Sequence, residues 1–150
     1  MKKKSAILLS ALLAIGIAGT AAAQSAEDAI EYRQSVFQTV KWNMGPMTAM
    51  AKGEKPFDKD AFLKHATRVE QLSHMPLEGF TPDSDLGETD AKPEVWSKRA
   101  EFEKRMKNWQ EQAAKLAQVA KAGDERAIKA QFGELGKSCK ACHDDFRVKR

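Results

Sequence analysis

Residues 124–146 read DERAIKAQFGELGKSCKACHDDF, and two patterns overlap in that stretch. Ile128, Phe132, Leu135, Cys139, Cys142 and Phe146 recur at three- and four-residue steps, the period of a helix with one buried stripe. Gly123 before Asp124 marks the end of one helix and the capped start of the next. The second pattern is Cys139-Lys140-Ala141-Cys142-His143. C-x-x-C-H is the attachment site of a c-type haem: two thiols three positions apart each add across a vinyl group, and the adjoining imidazole supplies an axial nitrogen to the iron. The chain has 2 cysteines and both lie here, so none remains for a disulfide framework. A structural zinc site wants about four ligands, and only His65 and His74 remain, with no ligand spacing between them. A thioredoxin-like pair wants a βαβ setting, whereas this pair falls near the end of a helical run.

Working outward, the same periodicity returns three times. Pro93 stands where a first helical residue is favoured, and Val95, Arg99, Phe102, Met106, Trp109, Ala113, Leu116 and Ala120 form an unbroken heptad seam to Gly123. A second helix opens at Asp58 or Asp60 and carries Phe62, Ala66, Val69 and Leu72 on one face, stopping before Pro76. The first runs from about Ala26 to Ala51 behind Ser25, with Asp28 as capping-box partner. Its inward positions are Ile30, Arg33, Phe37, Val40, Met44, Met47 and Ala51, and Gly45-Pro46 should kink or weaken it. The long link from about Ser73 to Lys92 reads as a crossover or functional loop. Four amphipathic helices of this period predict an all-α, antiparallel four-helix bundle. Both cysteines lie on the apolar stripe of the last helix, with His143 on its flank, so a haem c attached there must enter the bundle core.

The N-terminus has its own signature. Lys2, Lys3 and Lys4 precede an apolar run, Ala6 to Ala18, and Ala21-Ala22-Ala23 offers small residues for cleavage before Gln24, so residues 1–23 read as a secretory signal peptide. That leaves 24–150 as one domain, exported to the bacterial periplasm, with no later segment of membrane-spanning length. The chain has 25 Lys+Arg against 21 Asp+Glu. Without the three leader lysines the balance is nearly even, which gives no electrostatic case for nucleic-acid binding.

Together these features resemble cytochrome c′, of the class II cytochromes c, whose members carry the motif on the last helix rather than near the N-terminus. The resemblance rests on Tyr32-Arg33-Gln34, on Lys52-Gly53-Glu54-Lys55-Pro56-Phe57 and on Lys92-Pro93-Glu94-Val95-Trp96. It ends with Gly136-Lys137-Ser138-Cys139-Lys140-Ala141-Cys142-His143 and Phe146-Arg147. Cytochrome c′ is itself a standard example of the four-helix bundle, so the resemblance adds the cofactor's surroundings more than it adds the fold.

The resemblance implies one covalent haem c per chain, on Cys139 and Cys142, with His143 as axial ligand. Low-spin relatives place a second, Met ligand on the first helix. Counting back from Lys52-Gly53-Glu54-Lys55-Pro56, that position here is Phe37, which cannot bind iron, so the expectation is a five-coordinate, high-spin haem with Phe37 in the distal pocket. Met44, Met47, Met50 and Met106 read as flexible core fillers. Arg33, on the inward stripe, is costly there unless it has an anionic partner. The resemblance implies that Arg33 and Gln34 hold a propionate, that Glu88, Thr89 and Asp90 border the haem, and that Arg147 borders the proximal pocket.

The implied function is binding of diatomic gases, NO and CO, at that iron, with or without electron transfer to an unidentified periplasmic partner. The alternative is a simple electron carrier with a six-coordinate His/Met haem. No distal His or Arg suited to O–O cleavage is apparent, so the chain is not read as an enzyme. Family members often dimerise through the first two helices, which implies a homodimer here. Trp42, Phe57 and Phe62 are the expected contacts.

Overall fold

The computed structural model describes residues 24–149, and the expected leader lies outside the described residues. It contains α1 (Ala26–Ala51), α2 (Lys59–Ser73), a 3-10 turn (Pro76–Gly79), α3 (Glu94–Ser97), α4 (Arg99–Ala122) and α5 (Glu125–Phe146). The architecture is all-α. Its one β-like feature among the described residues is an isolated antiparallel bridge between Ala91 and Arg147. No described helix is long and apolar enough to cross a membrane.

The helix boundaries follow from side chains that satisfy free backbone groups. Ser25 and Asp28 form a reciprocal capping box, Asp58 accepts from the Ala61 N–H at 2.9 Å, and Asp124 accepts from that of Ala127 at 2.6 Å. Gly123 ends α4 in the left-handed conformation, φ 87°, which a side chain would strain.

The first helix has the span expected of it, and one expectation about helix continuity needs correction. α1 runs through Pro46 to Ala51 as one helix. Proline deprives the carbonyl four residues earlier of its donor, and that carbonyl belongs to Trp42, on a face exposed to water. The third helix, by contrast, is divided at Lys98, whose φ −119° and ψ 45° leave the helical region. The residues flanking the break hold the crossover loop: Trp96 Nε1 donates to Thr81 O at 2.7 Å, and an Arg99 Nη donates to Phe80 O at 2.8 Å. Arg99 therefore leaves the seam that its spacing assigned to it.

The core is the sum of the helical stripes. Phe62, Leu116, Ile128 and Leu135 are fully enclosed, each contributing about 1.5–3 kcal/mol relative to exposure. Phe62 packs on Phe57 at 5.5 Å and on Phe132 at 5.7 Å between ring centroids. It is a core residue and not the dimer contact expected of it. Neighbouring helices run close as α1–α2, α2–α4 and α4–α5, whereas α1 and α5 come together at far fewer points. That wider side of the bundle lies between the helix bearing Phe37 and the helix bearing the cysteines.

Candidate functional site

Cys139 and Cys142 are free, half-buried thiols one helical turn apart on α5, and both pack against the core cluster. Burial raises the pKa of each, for Cys142 to about 11, with the neighbouring Cys139 adding to the effect. His143 is exposed at the residue level. Desolvation of its ring, and then the nearby Arg147, lower its pKa against the opposing pull of Asp144. The imidazole is thus biased toward the neutral form that ligates iron.

The opposing wall is aromatic. Phe37 is half-buried on α1, 6.5 Å from Phe80 and 6.0 Å from Trp109 between centroids. The chain of rings continues from Phe80 to Phe102 at 4.8 Å and from Phe102 to Phe146 at 5.3 Å, reaching the end of α5. Aromatic surface of this extent, two thiols on one helix face, a neutral imidazole beside them and the wide side between α1 and α5 all suit a flat, apolar macrocycle. The residues fit a haem.

Arg33 is 2 % exposed. One Nη donates to Gly79 O and Ser84 Oγ, each at 2.7 Å. The other donates to Ser84 O at 2.9 Å and Thr89 Oγ1 at 3.0 Å. The guanidinium also lies over the Phe80 ring, 4.6 Å from its centroid. Four of its five N–H donors are therefore taken up by neutral acceptors of the loop, leaving Nε–H for any propionate. Gly79 makes this approach possible, because a Cβ there would meet Ala29 O at 2.9 Å and Arg33 Cβ at 2.9 Å.

The remaining loop residues continue the cluster. Gln34 Nε2 donates to Glu88 O at 2.7 Å, so the loop backbone is its partner while the Glu88 side chain stays exposed. Thr89 Oγ1 accepts a second bond, from Ala91 N at 3.1 Å. Asp90 O accepts from Val148 N at 2.8 Å, and its carboxylate lies 3.7 Å from an Arg147 Nη. Arg33, Gln34, Glu88, Thr89, Asp90 and Arg147 thus belong to one continuous strap from α1 across the loop to the end of α5. Sequence reasoning missed Gly79 and Ser84 in this strap. The Gly and Ser punctuation of the link was visible, but its partners lay some fifty residues away.

Other assignments fall away from this site. His65 is half-buried, with Nδ1 at 3.0 Å from Asn43 Oδ1 in the α1–α2 interface, and His74 caps the end of α2. Met47, Met50 and Met106 are buried core residues. Trp42 is 76 % exposed on the outer face of α1.

The family model for cytochrome c′ matches residues 28–147. The chain is 44% identical over 128 residues to a cytochrome c′ of Halomonas halodenitrificans, covering 81% of this chain and 97% of that protein. The solved cytochrome c prime of Shewanella frigidimarina superposes with a TM-score of 0.82 at 44% identity, over 84% of this chain and 98% of that one. A nitric oxide complex of a cytochrome c prime variant from Alcaligenes xylosoxidans matches with a TM-score of 0.78 at 38% identity, covering 83% of this chain and 98% of that one. A carbon monoxide-bound variant of the same protein matches to the same extent. With the motif on its last helix, the aromatic wall opposite and these relatives along nearly all of its described length, the chain belongs to the cytochrome c′ family, whose cofactor is covalently attached haem c.

Proposed function

We propose that this chain is a periplasmic gas-binding cytochrome c′ with a five-coordinate, high-spin haem that takes up NO and CO. The observation that carries the reading is Phe37. The position that offers a Met ligand in low-spin members here holds a phenyl ring, packed against Phe80 and Trp109 and without a donor atom. NO- and CO-bound relatives of the same fold support the ligand class.

Haem c supplies the iron that binds the gas, and the chain supplies the rest. Cys139 and Cys142 would tether the group, and His143 would provide its single protein ligand. Phe37 would screen the gas pocket, admitting a small diatomic only when its ring gives way. Arg33 offers its remaining Nε–H to a propionate and holds the loop in place. The lysine-rich start and apolar run of residues 1–23 support export, and the uncovered Trp42 on α1 supports a homodimer through α1 and α2.

The test is the absorption spectrum of the reduced protein with and without CO. A high-spin spectrum, with CO binding accelerated in Phe37→Ala and converted toward low-spin in Phe37→Met, is the expected result. A wild-type spectrum of His/Met low-spin type sinks the reading and returns the electron carrier.

A further inference from the structure

The end of α5 is held by Lys92, from the last position of the crossover loop. A helix leaves its last four carbonyls without helical donors, here those of His143, Asp144, Asp145 and Phe146. The first accepts from Arg147 N at 3.1 Å. The other three all receive Lys92: its backbone N–H donates to Phe146 O at 2.9 Å, and its Nζ donates to Asp144 O at 3.0 Å and to Asp145 O at 3.2 Å. A cation at this end also complements the helix dipole. Lys92 is in turn the last residue of the loop that Arg33 fixes at Gly79, Ser84 and Thr89. The carboxylate of Asp145 is held separately, by Arg105 of α4 at 2.8 Å, so the flank of the turn has its own brace and the carbonyls have Lys92.

We propose that Lys92 is a positioning residue for His143, setting how firmly the axial imidazole is held and so how readily it yields to a strong gas ligand. The proposal rests on the reading of His143 as sole protein ligand to the haem. A turn whose terminal carbonyls are tied to the loop cannot fray or rotate freely, and the ring carried by that turn inherits its rigidity. Loss of the ammonium loosens the turn while leaving the Lys92 backbone bond to Phe146 O in place.

The experiment compares the wild-type holoprotein with Lys92→Met, which keeps the backbone N–H and the aliphatic stem, and with Lys92→Arg, which restores a cation. Amide exchange at Arg147 and Val148 should quicken about two- to fivefold in Lys92→Met, the range for a charge at a helix end. The iron–imidazole stretch in the resonance Raman spectrum of the reduced protein should fall. The NO adduct lacking the imidazole should form faster. Lys92→Arg should return all three toward wild type. Faster exchange with an unmoved stretch would make Lys92 a structural cap and overturn the proposal, as would no change in either. A wild-type protein with no five-coordinate iron–imidazole stretch would instead overturn the reading of the haem itself, and the proposal with it.

Discussion

Arg33 and Trp42 lie about two and a half turns apart on α1, and hydrophobicity alone would exchange their places. The guanidinium is 2 % exposed and the indole 76 %. Arg33 stays inside because the loop brings four acceptors to it and Phe80 stacks beneath it. A buried cation without such partners would be costly by several kcal/mol. Trp42 has no comparable cover among the described residues. It borders a shallow groove with Leu72 and Met75 on the α1–α2 face, the face that the homodimer reading assigns to a second copy. One side of α1 is thus organised by polar bonds within the chain, while the other holds its apolar surface in reserve.

The sharpest way to break this division of labour is Phe62→Ala. A core position should lose about 3–5 kcal/mol, read as a lower urea midpoint, with dimer dissociation unchanged for the protein that remains folded. Weakened association at unaltered stability would put Phe62 back on the interface. Next in size is Arg33→Met, which removes a donor from Gly79 O, Ser84 O, Ser84 Oγ and Thr89 Oγ1. A loss of about 3 kcal/mol is expected from these lost buried hydrogen bonds, and Arg33→Lys, which cannot span all four, should recover only part of it. A midpoint that stays put would show that the loop holds itself. If Nε–H also serves a propionate, the reduction potential of Arg33→Met shifts as well, which separates the two roles.

Trp42→Ser probes the opposite face. Stability of the monomer should change by no more than about 0.5 kcal/mol, while sedimentation should register association weakened about thirtyfold, the mark of a central aromatic anchor. Identical sedimentation of variant and wild type would remove Trp42 from the interface. The smallest effect belongs to the start of α1. Backbone and then side-chain hydrogen bonds from Ser25 lower the pKa of Asp28 below the usual 3.8. Its contribution is therefore present above about pH 4 and is lost as the pH falls through the depressed folded value. Asp28→Asn should flatten that part of the acid-unfolding profile only slightly, and a profile that steepens would contradict the capping box.

Much of the bundle was legible because helical seams are local. Val95, Phe102, Met106, Trp109, Ala113, Leu116 and Ala120 recur at the helical period and are all buried. Cys139, Cys142 and His143 needed no fold to be recognised, since the attachment chemistry fixes their spacing. What local reading misjudged were positions settled by neighbours distant in the chain. Arg99 left its seam for Phe80 O, and Phe62 turned inward between Phe57 and Phe132.

The amino-acid order by itself determined the cofactor chemistry, the helical class and the four apolar stripes, because thiol spacing and a 3.6-residue period are properties of one segment at a time. Only the tertiary structure decided who satisfies the polar groups those segments leave over. The loop carbonyls taken by Arg33 and the helix-end carbonyls taken by Lys92 are paired across some fifty residues of chain. No local pattern encodes such a pairing, because it arises only when packing removes water and each buried donor must find the acceptor that the fold has brought within reach.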